Sequence, residues 1–77
     1  DKQVSKLSIY PNPSSGKFNF VLNENGTIEI YNTNGQQLIS KKISAGENNI
    51  QIDLPSGLYI LRTKTESKNF TNKLIIK

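Results

Sequence analysis

The chain has 77 residues, 34% of them apolar, and contains no Cys, His, Met or Trp. A chain of this size buries about 60% of its extended surface on folding, enough for one small core and not for two. The missing residue types exclude disulfides, thiol nucleophiles and thiolate metal sites, and remove the commonest general base and zinc ligand.

The net charge is +4, and its placement matters more than its size. Residues 1–56 balance to zero, whereas 57–77 set Arg62, Lys64, Lys68, Lys73 and Lys77 against Glu66 alone. These cations fall on alternating strand positions without an Arg cluster. They read as a solubilising, edge-protecting face, with presentation of this end to an acidic partner as the alternative.

In chain order, DKQVSKLSIY carries no apolar signal region, and residues 1–5 read as the end of a linker. No stretch approaches the run of about 18 apolar residues that a spanning helix needs. Apolar and polar residues alternate with a period of two, which predicts seven strands at roughly 6–10, 17–22, 27–32, 36–43, 49–54, 58–64 and 69–76. Pro11-Asn12-Pro13-Ser14-Ser15-Gly16 is a stiff loop, because each Pro fixes its own φ and biases its predecessor. Phe18, Phe20 and Leu22 then mark one face of a strand, and Ile28 and Ile30 another. Asn25-Gly26 and Asn34-Gly35 carry the dipeptide of type I′ hairpin turns.

Further along, Ser44 to Asn48 is a turn before Ile50, Ile52 and Leu54. Leu54-Pro55-Ser56-Gly57 fits a type I turn. Leu58-Tyr59-Ile60-Leu61 is apolar on both parities, which predicts a central strand covered on both sides. Lys64 to Lys68 closes the last hairpin. In the final strand Phe70, Asn72, Leu74 and Ile76 share one parity, and its three apolar residues each contribute about 1.5–3 kcal/mol if fully buried. Short strands with a turn every eight to twelve residues predict an immunoglobulin-like β-sandwich of about seven antiparallel strands. An open meander or small barrel is the fallback.

The chemistry on offer argues against catalysis. The six carboxylates are scattered, so no glycosidase pair is indicated. The eight serines have no His to activate them. The five glycines are spaced as turn residues, not as a phosphate loop. No acidic cluster suggests calcium, and no cofactor or metal is expected. Tyr10 and Tyr31 sit where strands meet turns. Either could face a sugar or peptide, but core-capping rings with hydrogen-bonded hydroxyls are the favoured reading. Asn25-Gly26-Thr27 and Asn69-Phe70-Thr71 match the glycosylation sequon, although ten asparagines make chance matches expected.

Four segments in order resemble one family. Ser8-Ile9-Tyr10-Pro11-Asn12-Pro13, with Ser15-Gly16 and Phe18-Asn19-Phe20, resembles the opening "YPNP" block of the type A C-terminal sorting domain of the type IX (Por) secretion system of Bacteroidota. Ile28-Glu29-Ile30-Tyr31-Asn32 with Asn34-Gly35-Gln36 resembles its central block. Leu54 to Arg62 resembles its "L-x-x-G-x-Y" strand, and Lys73-Leu74-Ile75-Ile76-Lys77 its basic-apolar ending. The resemblance covers roughly residues 6–77. It implies a single C-terminal sorting domain of immunoglobulin-like fold, continuous with an upstream cargo protein. It further implies outer-membrane translocon components and a sortase-like peptidase as partners, with transit through the periplasm to the cell surface or medium.

The recognition candidates on this reading are Tyr10, Pro11, Asn12, Pro13, Gly35, Gly57, Tyr59, Lys73, Leu74 and Lys77. The loop is stiff and loses little entropy on docking. The final strand, if it lies at an edge, offers backbone for β-augmentation, with Lys73 and Lys77 supplying orientation. Each residue also has a fold-keeping explanation, and that explanation is favoured: prolines end a strand, Gly35 and Gly57 allow turns, Tyr59 packs in the core, and the lysines solubilise an edge. The alternative function is a carbohydrate- or surface-binding sandwich appended to an enzyme, which the absence of Trp disfavours. Nucleic-acid binding lacks interleaved aromatics and is not expected. Dimerisation by pairing of the last strand stays open.

Overall fold

The computed structural model describes residues 7–13 and 15–77. They form six strands, β1 (Lys17–Leu22), β2 (Gly26–Tyr31), β3 (Gln37–Ile43), β4 (Gly46–Gln51), β5 (Gly57–Thr65) and β6 (Asn69–Ile76), with no helix among the described residues. Every strand pairing is antiparallel. β1 and β4 make a two-stranded sheet, and the order β3-β2-β5-β6 makes a four-stranded one. The period-two pattern sets what each sheet buries. Phe18, Phe20 and Leu22 of β1 and Ile50 of β4 meet Ile28, Ile30, Ile43, Tyr59, Leu61, Leu74 and Ile76 of the larger sheet in one core. The result is the expected all-β, sandwich-like arrangement.

The first predicted strand is the one not formed. Residue 6 and the linker assigned to 1–5 lie outside the described residues, as does Ser14. Within 7–10 only Tyr10 makes a bridge, exchanging backbone hydrogen bonds of 3.1 and 2.9 Å with Asn19. Pro11 and Pro13 have no N–H with which to extend a ladder. Past the loop, Gly16 holds φ at +108° and its carbonyl accepts the Ile52 N–H at 2.8 Å. A Cβ there would stand 2.6 Å from the Ile52 carbonyl oxygen, so this contact requires glycine.

Two further expectations are corrected. Asn25-Gly26 does not close a hairpin, because β1 pairs with β4 while β2 pairs with β3 and β5; the dipeptide carries the chain from one sheet to the other. β5 is central, as predicted, but only its inner face is covered. Tyr59, Leu61 and Thr63 are buried, whereas Leu58 remains 43% exposed and Ile60 half-buried on the outer face.

The smaller sheet does not span the larger one. On β3, Ile39, Lys41 and Ile43 stand opposite Ile30, Ile28 and Gly26 and so share the inward parity. Of these only Ile43 is buried; Ile39 is half-buried and Lys41 exposed. β3 therefore projects beyond its cover as an overhang.

Candidate functional site

The Pro-Asn-Pro loop is fastened to the last strand. The Asn12 side chain donates from Nδ2 to the Lys73 carbonyl at 2.9 Å, and its Oδ1 accepts the Ile75 N–H at 3.1 Å. β6 lies at the sheet edge, and alternate residues of an edge strand point their backbone groups away from the sheet. A single carboxamide thus fills two rungs that a neighbouring strand would otherwise supply. β6 is the expected edge strand, but its backbone between Lys73 and Ile75 is already occupied.

A second asparagine repeats the device. Asn72 points into the core side at 8% exposure. Its Nδ2 donates to the Leu7 carbonyl at 2.8 Å and its Oδ1 accepts the Leu7 N–H at 3.2 Å. A buried amide must find such partners or cost free energy, and the backbone of Leu7 supplies both. Segment 7–13 is stitched to β6 at two places, by one side chain from each partner.

The remaining candidates divide between this seam and the scaffold. Tyr10 is 45% exposed and caps no core, although its own backbone makes the bridge to β1. Pro11 and Pro13 are exposed and flank Asn12, and the Tyr10–Pro11 and Asn12–Pro13 peptide bonds are both cis. Lys73 and Lys77 are exposed, and Leu74 is completely buried. Gly57 pairs with Ile76 and Tyr59 with Leu74, so the "L-x-x-G-x-Y" strand and the terminal block are neighbours. Tyr59 is buried and its hydroxyl donates to the Pro55 carbonyl at 2.7 Å, a reach back along the chain that resembles the tyrosine corner of immunoglobulin-like sandwiches.

Gly35 lies apart, in the β2–β3 turn. The Gly35 N–H reaches the Asn32 carbonyl at 3.0 Å, and Gly35 itself holds φ at +87°. Asn34 does not share that positive φ, so the turn is the three-residue form with a bulge glycine and not type I′. Asn32 fixes it, with Oδ1 accepting the N–H groups of Asn34 and Gln36 at 2.9 and 3.0 Å. Asn32 at the first position of the turn and Gly35 at the fourth thus work as one unit.

Two polar groups went unread in the sequence. On the outer face of the larger sheet, Lys64 Nζ stands 3.6 Å from Glu29 and the Arg62 guanidinium 5.9 Å from the centre of the Tyr31 ring. The Tyr31 hydroxyl donates to Glu29 Oε1 at 2.8 Å. Tyr31 therefore caps the outside of a sheet and not the core. Its hydrogen bond to Glu29, then partial burial, then the Glu29 charge raise its pKa above the ordinary tyrosine value. Near the β5–β6 hairpin, Glu24 receives the Ser67 hydroxyl at 2.8 Å and the Ser67 N–H at 3.3 Å. The neighbouring Thr65 hydroxyl and these Ser67 donors hold the Glu24 pKa below the ordinary carboxylate value. Thr65 has one proton and also lies 3.2 Å from the Lys68 carbonyl, so Ser67 is the steadier support. The parity of Asn72 inside an apolar face was the one available signal for the seam; Glu29, Arg62 and Glu24 offered none.

Among the described residues no three carboxylates gather where a metal ion would sit. What the arrangement offers is a fixed surface, made of loop and final strand together, on a small antiparallel sandwich. A family model for the secretion system C-terminal sorting domain matches residues 8–77. The chain belongs to that family, and is a C-terminal sorting signal of type IX secretion. None of the curated proteins compared with it matches significantly.

Proposed function

We propose that this domain directs a larger cargo protein, joined on its N-terminal side, across the outer membrane, and that it acts by being recognised and performs no catalysis. The observation that supports this reading is the seam: two family blocks at opposite ends of the domain meet where Asn12 binds Lys73 and Ile75. Loop and strand form one composite epitope, legible only when the domain is folded. Its readers are translocon components on the periplasmic side, followed by a sortase-like peptidase, and the cargo finishes at the cell surface or in the medium of a bacterium of the Bacteroidota. Because Asn12 occupies two of the edge rungs, a receptor that adds a strand to β6 has to displace it or pair beyond it. The same occupancy disfavours dimers formed through that edge.

The test is a fusion of residues 1–77 to a periplasm-targeted fluorescent protein in a host with type IX secretion. The reporter is expected at the surface or in the medium. Removing residues 73–77 is expected to retain it in the periplasm, with thermal unfolding of that variant measured alongside to separate loss of signal from loss of fold. Replacing Lys73 and Lys77 by Gln isolates charge from strand. Retention of the intact fusion despite a folded domain refutes the reading.

A further inference from the structure

The outer face of the four-stranded sheet carries an uneven distribution of charge. Parity and register place Lys42, Lys64, Arg62 and Lys73 on it, and exposed Lys77 follows directly after β6. Glu29 is the single described carboxylate on that face, and it is engaged by Lys64 and the Tyr31 hydroxyl. The outer face of the smaller sheet contrasts with it, since Lys17 there is balanced by Glu47, which stands opposite exposed Val21. The excess positive charge of the molecule is therefore concentrated on one side of the sandwich.

That side also carries uncovered apolar surface. Leu58 and Ile75 are cross-strand partners, 43% and 41% exposed, and the next pair on the same face is half-buried Ile60 with Lys73. Tyr31 lies on the other flank of Ile60. The face is therefore apolar toward the end where Leu58 meets Ile75 and cationic toward the other, at Lys42, Lys64 and Arg62, with Lys73 on the β6 edge beside the apolar end. Exposed apolar anchors beside charged groups are a feature of protein recognition surfaces. Arg62 is held over the Tyr31 ring, which pre-orders its planar guanidinium for a carboxylate.

We infer that this face is a second docking surface and that its occupant is an acidic protein surface with an adjoining apolar patch, belonging to the secretion machinery. The inference rests on the sorting reading above and names a partner chemistry for it. Charge complementarity selects an acidic partner. The paired apolar side chains Leu58 and Ile75, presented by adjacent strands of the sheet, select protein over lipid, because a headgroup layer offers charge without a matching apolar contact at its surface.

The experiment uses the same reporter fusion. Arg62→Glu with Lys73→Glu is expected to cut export by about tenfold or more, the factor that loss of one or two well-placed interfacial charges produces. Lys17→Glu with Lys41→Glu, the same charge change off this face, is expected to leave export near wild type. Arg62→Gln with Lys73→Gln, which removes charge without introducing repulsion, should give an intermediate loss, and melting temperatures of all variants are to be compared. In an otherwise wild-type fusion, a photoreactive residue at Leu58 should cross-link to a polypeptide of the machinery, while one at Val21 should not. The wild-type fusion separates the two readings. If it is not exported, the sorting reading fails and this inference fails with it. If it is exported and both charge-reversed pairs behave alike, the docking face alone is refuted. Cross-linking from Leu58 to lipid, lipopolysaccharide or a second copy of the chain likewise overturns the acidic protein partner.

Discussion

Replacing Asn12 tests the seam most directly. A net protein hydrogen bond is worth about 0.5–1.5 kcal/mol, with solvent-exposed examples toward the lower end, so the two made by Asn12 contribute about 1–2 kcal/mol. For a domain of this length, a loss of that size lowers the melting temperature by about 5–15 °C, without approaching the roughly 4–12 kcal/mol of total stability that such a chain commands. Asn12→Ala should show this shift in circular dichroism melts at neutral pH. Asn12→Asp is the sharper variant. Its carboxylate can still accept the Ile75 N–H, but its other oxygen then faces the Lys73 carbonyl at the position of a 2.9 Å hydrogen bond, acceptor against acceptor. Asp should therefore be at least as damaging as Ala, although Asp and Asn are near equals as turn formers. Amide exchange gives a local readout: the Ile75 N–H, protected by Asn12 Oδ1, should exchange about fivefold faster or more in either variant. An Asp variant that melts like wild type and keeps Ile75 protected would show that Asn12 only shapes the loop.

Other expectations follow from single observations. Thr63 is fully buried with its Oγ1 unpartnered, and an unsatisfied buried hydroxyl costs about 1–3 kcal/mol, so Thr63→Val should raise stability in denaturant melts. Gly16→Ala should destabilise by about 1 kcal/mol or more, since it combines a positive φ with a Cβ pressed against the Ile52 carbonyl. The folded Glu24 carboxylate has a depressed pKa, so its contribution is present above the unfolded value and disappears as pH falls through the folded one. Wild type should therefore lose its margin over Glu24→Gln on acidification, as seen in paired melts across the acid range. Alkaline pH acts in the opposite sense at Tyr31. Its raised pKa means the Glu29 contact weakens as pH climbs from the unfolded tyrosine value through the folded one, so Tyr31→Phe should lose less stability than wild type in that window.

The strands were legible because alternation reports which side of a segment is dry. Phe18, Phe20 and Leu22, or Leu74 and Ile76, declare their inner face with no knowledge of partners. Alternation does not say which sheet a strand joins. Asn25-Gly26 and Asn34-Gly35 are the same dipeptide, yet one crosses between sheets and the other closes a hairpin, because the choice depends on where β4 and β5 pair. The seam was illegible for a related reason. Asn12 and Lys73 are 61 positions apart, and a side chain imitating strand backbone leaves no periodic trace. Tyr31 ends β2 as expected, whereas Tyr10 makes only an isolated bridge; neither ring caps the core, since an aromatic ring beside a turn is compatible with either surface. The family resemblance located the important blocks without saying how they touch.

The overhang of β3 has its own consequence. Among the described residues no strand pairs with the far side of this strip, and such an edge is the natural place for one copy of a domain to polymerise onto the next. Lys41 beneath and Lys42 above put a cation on both surfaces of that strip, so an incoming strand would have to bring like charges together on either side of the growing ribbon. Two adjacent side chains thereby disfavour the addition of a strand at that border.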